Sequence, residues 1–252
     1  MKYYSTKFND KGTIAVDDSI LVKGELSTSG SHILESYKPL FSAEAVERLV
    51  NKGFEISGKT NVGEFTLDLV GEFSYYNELQ ENETLKGAAA ELVKSGEVKA
   101  ALGVDMNGAT RRAAALSSVS FLKPTYGTVS RYGVISCAAS GEQLGVYAKD
   151  CDTVAEIMSV IAGHDDKDGT SLSDAECTSW KNDTASPKKV ALLKGMIDGV
   201  DADVKAKIDA LIEVLKKMYE EGVITSKQYK AAIKKKIKVN KLQEIVDTFK
   251  QI

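Results

Sequence analysis

The sequence predicts an α/β fold: a mixed β-sheet flanked by helices, with a helical segment at the C-terminal end. Three observations carry this. Short apolar runs of strand character alternate with amphipathic helical patterns up to about residue 170. Glycines punctuate the ends of those patterns, as at Gly53, Gly96, Gly163 and Gly222. The last fifty or so residues are helical in pattern throughout.

Taken in order, GTIAVDDSILVKGEL reads as two short strands around the turn VDDS. SAEAVERLVNKG, from Ser42 to Gly53, is a helix with Ser42 as its cap and Glu44 and Glu47 in its first turn. FEISGKTN is a short strand running into a turn, and residues 66–84 are polar and loop-rich. LKGAAAELVKSGEV is a helix closed by Gly96, and KAALGV is the strand that follows. RRAAALSSVSF is rich in small residues and buried in character, and LKPTYGTVSRYGVIS is turn-rich β. CDTVAEIMSVIAG is a helix with Val154, Ile157, Met158 and Ile161 on one face and Gly163 at its end. Residues 172–188 read as a loop or linker and KKVALLKG as a strand. In DADVKAKIDALIEVLKKMYEEG, Val204, Ile208, Leu211, Ile212 and Leu215 form one apolar stripe. TSKQ then reads as a capping box, with Thr225 at N-cap and Gln228 at N3, ahead of the basic helix YKAAIKKKIK and a last helix, VNKLQEIVDTFKQI. The organisation expected is a core over residues 1–222 and a helical tail over 223–252.

Composition narrows the function classes. The chain has 252 residues, 43% hydrophobic and 27% charged, with a net charge of −3, which fits a globular protein and argues against a nucleic-acid binder. The absence of any apolar run of about 18 residues or of an h-region in MKYYSTKFND argues against a membrane span and a signal peptide. Three cysteines without C-x-x-C spacing read as reduced thiols, so a cytoplasmic location is expected. With two histidines in the chain, a histidine-rich metal site is excluded, and no cofactor is expected.

The stretch LGVDMNGATRR, Leu102 to Arg112, is where chemistry is expected. An apolar strand ends in Asp105, a tight turn of Met106, Asn107 and Gly108 follows, and small helix-forming residues come next. Such strand–turn–helix elbows present backbone amides to a ligand and often seat a Ser or Cys nucleophile. Here the seat holds Ala109.

Together, LGVDMNGATRR, LKPTYGTVSRYGVIS and VIAGHDDKDGTS resemble the amidase signature family, in particular its branch of glutaminase (A) subunits of tRNA-dependent aspartyl/glutamyl amidotransferases. The resemblance extends through ILESYKPLFSAEAVERLVNKGFEISGKTNVGEF and KKVALLKGMIDGVDADVKAKIDALIEVL. It covers roughly residues 20–220 and corresponds to the N-terminal half of such a subunit, so a reduced amidase-signature fold is implied. The family's chemistry uses a strand-end lysine, a bridging serine and a serine nucleophile next to oxyanion-binding amides. Carried over, the lysine falls on Lys23 in ILVKGEL, the bridging serine on Leu85 in NETLKGAA, and the nucleophile on Ala109 in DMNGA.

Two of the three catalytic positions therefore lack a hydroxyl. The resemblance implies a degenerate amidase-like protein acting as a binding, scaffold or regulatory component. The alternative is a divergent amidase or glutamine-hydrolysing amidotransferase subunit that uses Lys23 with a non-standard nucleophile such as Thr84 or Thr110. Met106, Asn107 and Gly108 read as either retained ligand-facing amides or a structural turn, and Lys23 as either a vestigial base or an ordinary strand-end lysine. Asp105, Arg111, Ser130 and Arg131 fall on the pocket side, Arg131 reading more simply as a hydrogen-bonding residue than as a ligand clamp. Glu142 and Gln143 match a family loop, His164 reads as a loop residue, and Cys137 as a small buried hydrophobe. A small carboxamide or an anion is the ligand class implied, and a second copy or a protein partner is expected to cover the truncated sheet. Leu211 to Ile237 also resembles a short C-terminal helix–turn–helix interaction module; a helical hairpin covering the sheet explains the same residues.

Overall fold

The computed structural model describes residues 3–67, 74–76, 86–182 and 199–220. The chain divides into two compact units, residues 1–182 and 183–252. That division falls inside the stretch read from sequence as a loop or linker. The expected boundary at 222, Leu85, the predicted strand KKVALLKG and the TSKQ capping box all lie outside the described residues.

The first unit is built on a six-stranded mixed sheet. Its strands are β1 (Tyr4–Lys7), β2 (Ile14–Asp17), β3 (Ile56–Thr60), β4 (Ala100–Asp105), β5 (Ser120–Leu122) and β6 (Gln143–Ala148), in the order β1-β3-β2-β4-β6-β5. β2 pairs in parallel with β3 and β4, whereas β1 and β6 join antiparallel and β5 pairs antiparallel with β6. The C-terminal ends of β2, β3 and β4 therefore point the same way and bring Asp17, Thr60 and Asp105 to one end of the sheet.

Helices cover both faces. α1 (Glu44–Asn51) and α4 (Cys151–Ile161) pack on one core, with Ile14, Val16, Leu102, Val104 and Val146 beneath them. α2 (Ala88–Ser95) belongs to a second core with Ala15, Ala101 and Tyr147, which α3 (Ala109–Ser117) joins through Ala114. Alternate strand residues feed alternate cores, as the two-residue period of a strand requires. In α4, Val154, Ile157, Met158 and Ile161 are buried, as their spacing predicts. Gly96 closes α2 in the left-handed conformation, with its N–H bonded to the last turn.

Several expectations are corrected. GTIAVDDSILVKGEL contains one strand, β2; beyond it the chain turns, and Ile20 makes only an isolated bridge to Val134. The N-cap of α1 is Ala43, which makes no side-chain cap, and the Ser42 hydroxyl accepts the Lys23 N–H. LKPTYGTVSRYGVIS adds bridges but no strand beyond Leu122. Within 172–188, α5 (Asp174–Thr178) forms behind a Ser173–Glu176 capping box and a turn of 3-10 helix follows over Ser179–Asn182. That turn carries the chain's one tryptophan, Trp180, whose indole N–H donates to the Cys177 carbonyl. Cys137 is exposed, and Cys177 is the buried cysteine.

In the second unit, α6 (Ala202–Glu220) carries the predicted stripe, with Val204 exposed and Ile208, Leu211 and Ile212 half-buried. Among the described residues, no helix is long and apolar enough to cross a membrane.

Candidate functional site

The elbow after β4 forms as read from the sequence. Asp105 ends the strand, Met106–Gly108 turn, and Ala109 is the first residue of α3. Gly108 sits at a φ of +102°, a conformation glycine adopts without steric cost.

Side chains around the turn bond several of its polar groups. Asp105 Oδ1 accepts from the Gly108 N–H at 3.1 Å, from Arg111 Nη2 at 3.0 Å and from Lys123 Nζ at 3.2 Å. Its Oδ2 accepts from the Arg111 N–H and from Arg111 Nε, both at 3.1 Å. Burial pushes the Asp105 carboxyl up, but the bonds from Arg111 and Lys123 outweigh it and hold the group below the usual carboxylate range. Asn107 Oδ1 accepts from the Ala109 N–H at 3.2 Å, while its Nδ2 donates to the Leu67 carbonyl. The Met106 carbonyl accepts from Lys123 Nζ. Lys123 thus pins both the carboxylate and the turn, a role that sequence reading did not assign it.

The Thr110 hydroxyl donates to the Val104 carbonyl at 2.8 Å and is buried, so it caps the strand and faces away from solvent. Ser130 and Arg131 make their polar contacts elsewhere. Ser130 Oγ donates to Asp165 at 2.6 Å. Arg131 binds Asp168 through its N–H, Glu142 and Thr170 through its guanidinium, and lies over the Tyr126 ring. It ties loops together. Glu142 accepts from Ser136 and from the Cys137 and Ala138 amides, and Gln143 bridges Gly127 and Val129. His164 is exposed and bonds Leu172 and Asp166.

Lys23 is placed differently from the expectation. It lies in an exposed turn six residues beyond the end of β2, not at a strand end. Where β2 ends, the structure has Asp17, Asp18 and Ser19, all buried. Near them, at the end of β3, stands a fully buried lysine, Lys59. Its Nζ donates to the Asp18 carbonyl at 2.9 Å and to Ser27 Oγ, and lies 3.4 Å from the Asp18 carboxylate. Burial lowers its pKa to about 8 against the pull of Asp18. The Asp18 carboxylate also accepts from the Thr28 N–H and hydroxyl. Lys59 sits in the short polar run ISGKT and Asp17 in the stretch VDDS that reads as a turn, and neither context marks a buried charge, so neither residue was legible. Among the described residues, no cluster of His, Cys, Asp and Glu could hold a metal.

Comparison with known proteins matches this architecture. The amidase family matches residues 13–231. The A-type component of a glutamyl-tRNA(Gln) amidotransferase from Lactobacillus johnsonii is 38% identical over 213 residues, which is 81% of this chain and 44% of the relative. The corresponding component from Carboxydothermus hydrogenoformans is 37% identical over 229 residues, covering 86% of this chain and 47% of its own length. The chain thus spans about half the length of the curated relatives it matches. Among solved structures, the Thermotoga maritima counterpart, from the same kind of amidotransferase, superposes with a TM-score of 0.72 at 28% identity, covering 86% of this chain and 52% of that one. A chain from a complex described as vestigial, and as revealing the origins of an s-triazine catabolic enzyme, superposes with a TM-score of 0.69 at 25% identity, covering 79% and 46%. On sequence and fold together, the chain belongs to the amidase family.

Proposed function

We propose that this protein is a catalytically silent member of the amidase family that serves as a binding or regulatory component, assembled with a second copy or a protein partner. The observation that carries this reading is the elbow. Its first helical residue, Ala109, has no nucleophilic atom, and the Gly108 and Ala109 amides are spent on Asp105 and Asn107. An oxyanion site needs donors aimed at the developing charge, and donors already bonded within the turn do not supply it. Neither Lys23, exposed in its turn, nor Thr110, bonded to Val104, supplies a base–nucleophile pair. The relatives are named as subunits and one structural neighbour as a member of a complex, which supports the partner half of the reading.

Ammonia release from glutamine, asparagine and simple amides tests it: the expected rate equals the enzyme-free blank, and a serine-reactive fluorophosphonate is expected to leave the protein unlabelled. Turnover lost on Lys23→Ala, or labelling at Thr110, would sink the reading. Light scattering tests the assembly, and a monomer at all concentrations removes the self-association arm.

A second reading, a divergent amidase, is favoured by the Lys59–Ser27 contact, since a serine bonded to a lysine is a known nucleophile–base arrangement. Both side chains are fully buried, which keeps a substrate from the serine. Ser27→Ala separates the readings, because only the enzyme loses ammonia release.

A further inference from the structure

Among the described residues at this end of the sheet, Asp17 is the buried carboxylate that holds no cation. Its Oδ1 bonds the Thr60 hydroxyl and its Oδ2 accepts the Val104 N–H, both at 2.9 Å. A carboxylate offers about four lone-pair sites, so an ionised Asp17 is under-bonded here. The neighbouring charges relieve it only in part: Lys59 favours the ionised form, but less than burial opposes it. On β2, Asp18 adds a like charge; on β3, the Lys59 amine is committed to Asp18 and Ser27. On β6, Tyr147 presents a buried phenol ring, and its hydroxyl donates to the Thr110 carbonyl. On β4, Asp105 is a further like charge that acts with Asp17 on Tyr147, and Thr110 of α3 is neutral.

The two bonds differ in what they tolerate. The Val104 N–H can only donate, so Oδ2 must stay an acceptor. The Thr60 hydroxyl can donate or accept, so it can turn round and receive a proton carried on Oδ1. The site therefore accommodates the neutral acid with both bonds intact.

We propose that Asp17 is a proton-operated latch on the β2–β3–β4 seam: the neutral acid holds the three strand ends and the elbow together, and ionisation loosens them. Burial supports this, raising the Asp17 pKa to about 7. The folded protein then binds a proton that the unfolded chain, with a pKa of about 4, has released. The stabilising contribution is whole below about pH 4 and is lost as pH rises through about 7.

The test is made on the full chain. Carbon-13 NMR of the Asp17 carboxyl, assigned by its loss in Asp17→Asn, is expected to titrate near neutrality; a midpoint in the ordinary aspartate range overturns the proposal. Hydrogen exchange at the Val104 amide, corrected for intrinsic rates, is expected to lose about tenfold in protection from pH 6 to 8.5. Protection that stays constant also overturns it. Asparagine keeps both bonds, so Asp17→Asn is expected to lose the pH dependence of both Val104 protection and Tm over this range. Should that variant not fold, Thr60→Val removes the reversible partner and is expected to move the carboxyl titration upward. An unmoved titration refutes the arrangement.

Discussion

Two adjacent parallel strands end in buried acids, and they treat the charge in opposite ways. At the end of β4, Asp105 gathers five bonds, with Arg111 and Lys123 reaching it from the rim, and stays ionised. At the end of β2, Asp18 is matched by one wholly buried lysine, and Asp17 by neutral donors alone. The first arrangement locks a turn from outside; the second welds strands from within. The difference shows that charge at a strand end says little until its partners and its burial are known.

The largest break in this contrast is expected at Lys59. Lys59→Met removes the cation beside Asp18 and leaves a buried anion, and a loss of about 3–5 kcal/mol in urea unfolding is expected. Asp105→Ala is expected to cost somewhat less, about 3 kcal/mol, because the Arg111 and Lys123 it strands are partly exposed and can hydrate. Gly103→Ala probes the ground between the two ends. A Cβ there would lie 2.8 Å from the Tyr147 ring and 3.2 Å from Asp17 Oδ2, so a loss of about 2 kcal/mol from overpacking is expected.

The two acids are expected to differ in pH dependence as well. Asp105 is held low, so its contribution is present above about pH 4 and is lost as pH falls through its lowered value. Asp105→Asn should flatten the acid side of a Tm profile, and Asp17→Asn the neutral side. Exchange of those effects between the variants would reverse the contrast. The smallest effect is expected at Ala109→Ser. Ala109 is only half-buried, so stability should move by no more than about 0.5 kcal/mol. Ammonia release should stay at the blank, since a hydroxyl without a base gains nothing. A restored rate would show that the elbow needed only its nucleophile.

Much of the frame was legible in the sequence for identifiable reasons. β4 is buried along its whole length, so ALGV reads as a continuous apolar run. α4 shows its face through Val154, Ile157, Met158 and Ile161, and α2 ends where Gly96 turns left-handed. The elbow was legible because a strand, a glycine turn and small residues follow one another in sequence. β1 was not, because YSTK is an antiparallel edge strand with no apolar alternation. α5 hid in polar residues, where only its capping box signals a helix. The missed site residues share one trait. Asp17, Lys59 and Lys123 acquire their meaning from partners 17 to 87 positions away, or from burial, and neither is written locally.

Trp180 has a practical consequence. As the sole tryptophan, fixed to Cys177 at the far end of the first unit, it makes intrinsic fluorescence a reporter of that short helical segment, whereas circular dichroism averages over the sheet and its helices. Melting curves from the two signals that coincide would mark residues 174–182 as part of one cooperative unit with the sheet. Curves that separate would give the free energy of fraying that segment without a label or a mutation.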